Sequence, residues 1–86
     1  MDERIERSFR GISERLAVRY LENLGGTPVD NGVVEGDDWV ATLSAESVQI
    51  GPSLTLTEIT VVFEGDGDSL ESLVDSFARK AMRAGG

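Results

Sequence analysis

The sequence predicts an α+β domain of two layers: an antiparallel sheet with two helices on one face, in the order β-α-β-β-β-β-α. Three observations carry this expectation. Stretches near the two ends place apolar residues at helical spacing, and the residues between them favour strands, with alternation at a period of two. The connections are short and hold Gly, Asn, Asp and Pro, which suits antiparallel neighbours. Two amphipathic helices and one sheet bury their apolar faces most simply against each other. Eighty-six residues make one domain, 1–86, and a chain this short buries only about 60–65% of its unfolded surface.

The first strand runs from about Arg4 to Arg10, followed by a turn at Gly11-Ile12 and a helix from Ser13 to Leu24. A single long helix from Asp2 to Leu24 is the competing reading, since Ile5, Phe9, Ile12 and Leu16 fit one helical side. Gly11 counts against it, because glycine costs roughly 1 kcal/mol inside a helix. Ser13 is a good N-cap for a fresh start. The helix then has its own stripe of Leu16, Ala17, Tyr20, Leu21 and Leu24. Gly25-Gly26 ends it by supplying the left-handed residue after the last turn.

The middle of the chain reads as β. Val29 to Glu35 holds a short strand interrupted by the turn signal Asn31-Gly32. Trp39 to Leu43 alternates, with Trp39, Ala41 and Leu43 on one face, and Ser47 to Ile50 places Val48 and Ile50 together. Gly51-Pro52-Ser53 is a turn. Leu54 to Glu64 is the longest strand. Its inward phase passes from Leu54 and Leu56 to Ile59, Val61 and Phe63, which predicts a β-bulge near Thr57-Glu58. Glu64-Gly65-Asp66-Gly67 turns into the last helix. There Asp68 and Glu71 read as a capping box, and Leu70, Leu73, Val74, Phe77, Ala81 and Met82 form the stripe. Arg79, Lys80 and Arg83 occupy the last turns, as the helix dipole prefers.

Charge excludes several functions. Sixteen acids face eight bases, a net charge of −8, and Lys80 is the one lysine among seven arginines. Acid excess with scarce lysine suits a cytoplasm rich in salt, where a Debye length of roughly 3 Å at 1 M silences repulsion between surface carboxylates. Eleven acids and no base lie between Gly26 and Ala78, which argues against nucleic acid, since phosphate contacts need Lys or Arg. Arg4, Arg7, Arg10, Arg15 and Arg19 are interleaved with Glu6 and Glu14 and read as an ion-paired, solvated face. The chain has no cysteine and no histidine. Disulfides, thiolate or imidazole metal sites and His-based triads are therefore excluded. No run of apolar residues nears the roughly 20 of a membrane span. The charged start Met1-Asp2-Glu3-Arg4 leads into no apolar segment, so a cytoplasmic location without a signal peptide is expected. No cofactor is expected.

Few residues suggest chemistry. Glu64, Asp66, Asp68 and Asp75 echo the spacing of a calcium loop, but Ser69 stands where that loop needs glycine and Asp75 where it needs a bidentate glutamate. An acidic turn capping a helix is the better account. Asp37 and Asp38 are adjacent, so on a strand they would face opposite ways and converge on no substrate atom. Trp39 reads as core. The C-terminal Gly85-Gly86 matches the ending of ubiquitin-like modifiers and sulfur carriers, whose tails lack Cβ atoms and thread the narrow channel of an activating enzyme. Here the pair follows a helix, where glycine also serves as a plain helix end. Val40, Thr42, Thr55, Thr60 and Val62 are expected on the outer face of the sheet and make it almost uncharged. Strand propensity explains such residues, and so does a contact with another chain, since interface cores are depleted of charge.

Four segments together resemble a known family: Phe9-Arg10-Gly11-Ile12-Ser13, Ala17 to Gly26 (AVRYLENLGG), Ile50 to Thr57 (IGPSLTLT) and Phe77 to Arg83 (FARKAMR). They look like the C-terminal domain of MoaD-related proteins, in a stand-alone haloarchaeal version, over about residues 4–86. In that family the domain can follow a β-grasp sulfur-carrier domain of the molybdopterin type, which this chain is expected to lack. The resemblance carries over no catalytic residue. It implies a role beside molybdopterin or sulfur-carrier chemistry. The residues read as a non-catalytic protein-interaction domain with a protein partner or a second copy, rather than an enzyme. The alternative is a modifier or sulfur carrier acting through Gly85-Gly86.

Overall fold

Gly11 divides the N-terminal third of the chain. The computed structural model describes residues 3–85, and in it Gly11 has φ 86°, a left-handed conformation that glycine adopts without steric cost. Before it lies strand β1 (Glu3–Arg10), and after it helix α1 (Glu14–Asn23). One long N-terminal helix is thereby ruled out. Ser13 caps α1 as expected: its backbone is extended and its Oγ accepts a hydrogen bond from the Leu16 N–H at 3.1 Å. At the other end Gly25 takes φ 100°. The Gly25 N–H donates to the Glu22 carbonyl at 3.1 Å and the Gly26 N–H to the Leu21 carbonyl at 2.9 Å. This is the paired bonding of a Schellman motif.

Asn31-Gly32 then makes a turn, with Gly32 at φ 72°. It separates β2 (Thr27–Asp30) from β3 (Val33–Glu35), so the expected interruption of one strand is a complete hairpin of two. Strand β4 (Trp39–Gln49) is continuous, where the sequence reading had two strands, 39–43 and 47–50. Ser44, Ala45 and Glu46 pair with Thr60, Ile59 and Glu58. None of the three is a helix or strand breaker, so nothing stops the ladder. Strand β5 (Thr55–Gly65) follows a tight turn in which the Ile50 N–H donates to the Leu54 carbonyl at 2.8 Å.

The β4–β5 register runs without a shift from Gln49 opposite Thr55 to Trp39 opposite Gly65. The bulge expected near Thr57-Glu58 is absent. Leu54 and Leu56 change phase for another reason: this end of the hairpin outruns both helices and has no core to face. Val48 pairs with Leu56 there, and Ile50 and Leu54 remain 44% and 53% exposed.

Helix α2 (Gly67–Gly85) begins two residues earlier than the capping-box reading required. The Asp66 carbonyl accepts from the Leu70 N–H at 2.7 Å, and Asp68 lies inside the first turn, where a carboxylate still favours the dipole. The strands form one antiparallel sheet in the order β1-β5-β4-β3-β2. Trp39, Ala41 and Leu43 of β4, Ile59, Val61 and Phe63 of β5 and Val34 of β3 meet Ala17 and Leu21 of α1 and Leu70, Leu73, Val74, Phe77 and Ala81 of α2 in one core. The predicted two-layer α+β architecture is the one observed.

Trp39 is held by a close backbone approach. The Gly36 N–H donates to the Trp39 carbonyl at 2.8 Å, and a Cβ on Gly36 would overlap the indole ring. Gly36→Ala is therefore expected to displace the buried tryptophan and cost about 1–3 kcal/mol. Urea unfolding followed by the fluorescence of Trp39, the one tryptophan, measures this directly.

Candidate interaction surface

Alternation along β4 and β5 decides which side chains leave the core. Odd-numbered residues of the paired region point to the helices, and even-numbered ones to the opposite face. The register then arranges the outer face in rows across the strands. Val33, Thr42, Val62 and Glu6 form one row. Ser44, Thr60 and Ser8 form the next, where the hydroxyls of Ser8 and Thr60 hydrogen bond at 3.1 Å. Glu35, Val40, Glu64 and Arg4 form the row on the other side.

Four of the five expected surface residues thus come together. Val40, Thr60 and Val62 are half-buried and Thr42 is exposed; neither helix lies over them. Thr55 does not join them. It shares the phase of Ile59, Val61 and Phe63 and so belongs to the helix-side face, exposed on the overhanging end of the hairpin. The misplacement follows from the bulge that did not form. Val33 belongs to the neutral strip although the sequence reading did not select it. Only the β3–β4 register brings it beside Thr42.

The outer face is also more charged at its margins than composition suggested. Arg4 and Glu6 form an ion pair at 3.4 Å, and Arg10 meets Glu58 at 3.0 Å. Glu46 lies directly opposite Glu58, a like-charge pair of the kind that destabilises a sheet. These charges frame the strip of Val33, Val40, Thr42, Thr60 and Val62. The pairing of β1 with β5 supplies much of the frame, and its partners lie 48 (Arg10 and Glu58) to 62 (Glu3 and Gly65) residues apart in the chain. Beyond the Glu46–Glu58 row, Val48, Leu56, Ile50 and Leu54 form a second apolar patch at the hairpin end.

The remaining candidates separate. Trp39 is buried in the core. Asp37 and Asp38 are exposed in the turn before it. Glu64 lies on the outer face, Asp66 precedes α2, Asp68 is in its first turn, and Asp75 pairs with Arg79 at 3.0 Å. Among the described residues no group of three or more His, Cys, Asp or Glu could hold a metal ion. Arg15 and Arg19 line a groove of about 380 Å³ beside the β2–β3 turn, together with Glu14, Glu22 and Asp30, so its lining has mixed charge. Gly85 closes α2, and Gly86 lies outside the described residues. No helix among the described residues is long and apolar enough to cross a membrane.

No curated protein matches the chain. The family model described as archaeal MoaD-like protein matches residues 5–86. That span holds both helices and the neutral strip of the sheet, and the chain belongs to the archaeal MoaD-like family.

Proposed function

We propose that this chain is a non-catalytic protein-interaction domain that works in molar salt, docking a partner on the outer face of its sheet beside sulfur-carrier or molybdopterin chemistry. The observation that carries the reading is the strip of Val33, Val40, Thr42, Thr60 and Val62, uncharged in a chain of net charge −8 and uncovered by either helix. Interface cores are depleted of charge in the same way. Membership in a MoaD-like family supports the link to sulfur-carrier chemistry. A carrier role for the chain itself has less support. In a β-grasp carrier the diglycine follows a strand, whereas here Gly85 closes helix α2.

The test is affinity purification from cells at native salt, with bound proteins and the mass of the C-terminus read together. Val62→Asp places a carboxylate at the centre of the strip and is expected to reduce recovery of the partner at least about tenfold while circular dichroism stays unchanged. A partner retained undiminished by the folded variant would remove the outer face from consideration. A thiocarboxylated C-terminus would instead promote the carrier reading.

A further inference from the structure

The sheet has a long open edge as well as an open face. Strand β1 is at the end of the strand order and, among the described residues, pairs with β5 alone. The Gly11 N–H donates to the Thr57 carbonyl at 3.2 Å, which continues the β1–β5 register by one residue and sets its phase. Odd-numbered residues of β1 direct their N–H and C=O groups to β5, and Arg4, Glu6, Ser8 and Arg10 direct theirs to the open edge. Such an edge accepts another strand unless something blocks it, and side-chain charge of one sign is a common block. Here the charges have both signs.

Their order is self-complementary. Glu3-Arg4-Ile5-Glu6-Arg7 runs minus, plus, neutral, minus, plus, and read backwards it is the same pattern with every sign reversed. We propose that two copies of the chain pair antiparallel through β1, about a two-fold axis at Ile5, and so join two five-stranded sheets into a continuous sheet. Glu3 of each copy then faces Arg7 of the other on the helix side, and Arg4 faces Glu6 on the outer side. Every charge in the segment meets its opposite. The Arg4–Glu6 pairs are also the ones whose backbone groups point outward, so they exchange the inter-strand hydrogen bonds. The two half-buried Ile5 side chains meet at the axis, beside the groove lined by Ile5, Arg7, Glu71, Val74, Asp75 and Ala78, where Glu71 and Asp75 add negative charge near Arg7. Competing registers that keep the faces aligned match fewer charges: an axis at Ser8 pairs only Glu6 with Arg10, which already meets Glu58. An axis at Glu6 sets Glu6 against itself. One at Arg7 sets Arg7 against itself and Arg4 against Arg10. A symmetric, self-complementary edge is what a two-fold interface requires. The proposal concerns the edge of the sheet and is independent of the reading of its face.

Sedimentation of the full chain, at the lowest salt at which circular dichroism shows it folded, is expected to give a dimer. Glu6→Arg puts arginine opposite arginine and is expected to raise the dissociation constant at least about tenfold. The double exchange Arg4→Glu with Glu6→Arg reverses both members of each pair and is expected to restore the dimer. Glu6→Pro removes an N–H that points to solvent in the monomer, a position where an edge strand tolerates proline, and is expected to leave a folded monomer. Val62→Asp is expected to leave the dimer intact, which separates this interface from the one on the outer face. A wild-type chain that stays monomeric at its highest soluble concentration overturns the proposal. So does a dimer indifferent to Glu6→Pro, or a charge exchange that fails to restore what Glu6→Arg removed.

Discussion

Phe77→Ala is expected to lower the unfolding free energy by about 3–5 kcal/mol, a large part of the roughly 5–15 kcal/mol that holds a small domain folded. Phe77 is fully buried, and three other rings meet it edge-on: Phe9 of β1 at 5.1 Å, Phe63 of β5 at 5.6 Å and Tyr20 of α1 at 6.0 Å. One side chain of α2 therefore ties both helices to two strands. Each such ring pair adds about 0.5–1.5 kcal/mol beyond the area it buries, and truncation removes all three at once. A chain of 86 residues has little other core with which to refill the space. Met82 lies on the same helix and is 73% exposed, so Met82→Ala is expected to change stability by no more than about 0.5 kcal/mol. Denaturant titration of the two variants beside the parent checks both values. A cost below about 1 kcal/mol for Phe77→Ala would mean that the aromatic cluster does not organise the core.

The thermal midpoint is expected to rise by roughly 10 °C or more between low and molar KCl. A domain of this size gains about 4–8 °C for each kcal/mol, so relief of about 2 kcal/mol of repulsion suffices. Eleven acids and no base occupy residues 26–78, and folding brings some of them closer, as with Glu46 opposite Glu58. The ion pairs Arg4–Glu6 and Asp75–Arg79 are exposed and Arg10–Glu58 is partly so, and exposed pairs contribute at most about 1 kcal/mol each. They offset little of the excess. Salt at about 1 M shortens the Debye length to roughly 3 Å and removes most of the repulsion. Differential scanning calorimetry across a KCl series measures the shift. A midpoint that does not move with salt would sink the halophilic reading.

Much of the fold was legible in the sequence wherever a few neighbouring residues suffice to settle a conformation. Gly11 and Ser13 end a strand and start a helix; Gly25-Gly26 closes that helix; Asn31-Gly32 turns a hairpin. Each acts through backbone conformation or a hydrogen bond within about six residues. The helical stripes, apart from Met82 at 73% exposed, and the alternation of Trp39, Ala41 and Leu43 likewise specify which residues share a face. They do not specify where the opposing layer stops. Leu54 and Leu56 read as core because they are apolar, yet they lie on a hairpin end that no helix reaches, and because no bulge interrupts β5, Thr55 falls on the other face from Thr60 and Val62. Long-range pairing decided the rest. Only the docking of β1 against β5 puts Arg4, Glu6 and Arg10 beside the neutral strip, and only its place at the end of the sheet leaves Glu3 to Arg7 with an open edge. Local chemistry sets the conformation of each element, while the burial of apolar area between distant segments selects which faces and edges are left for water or for another chain.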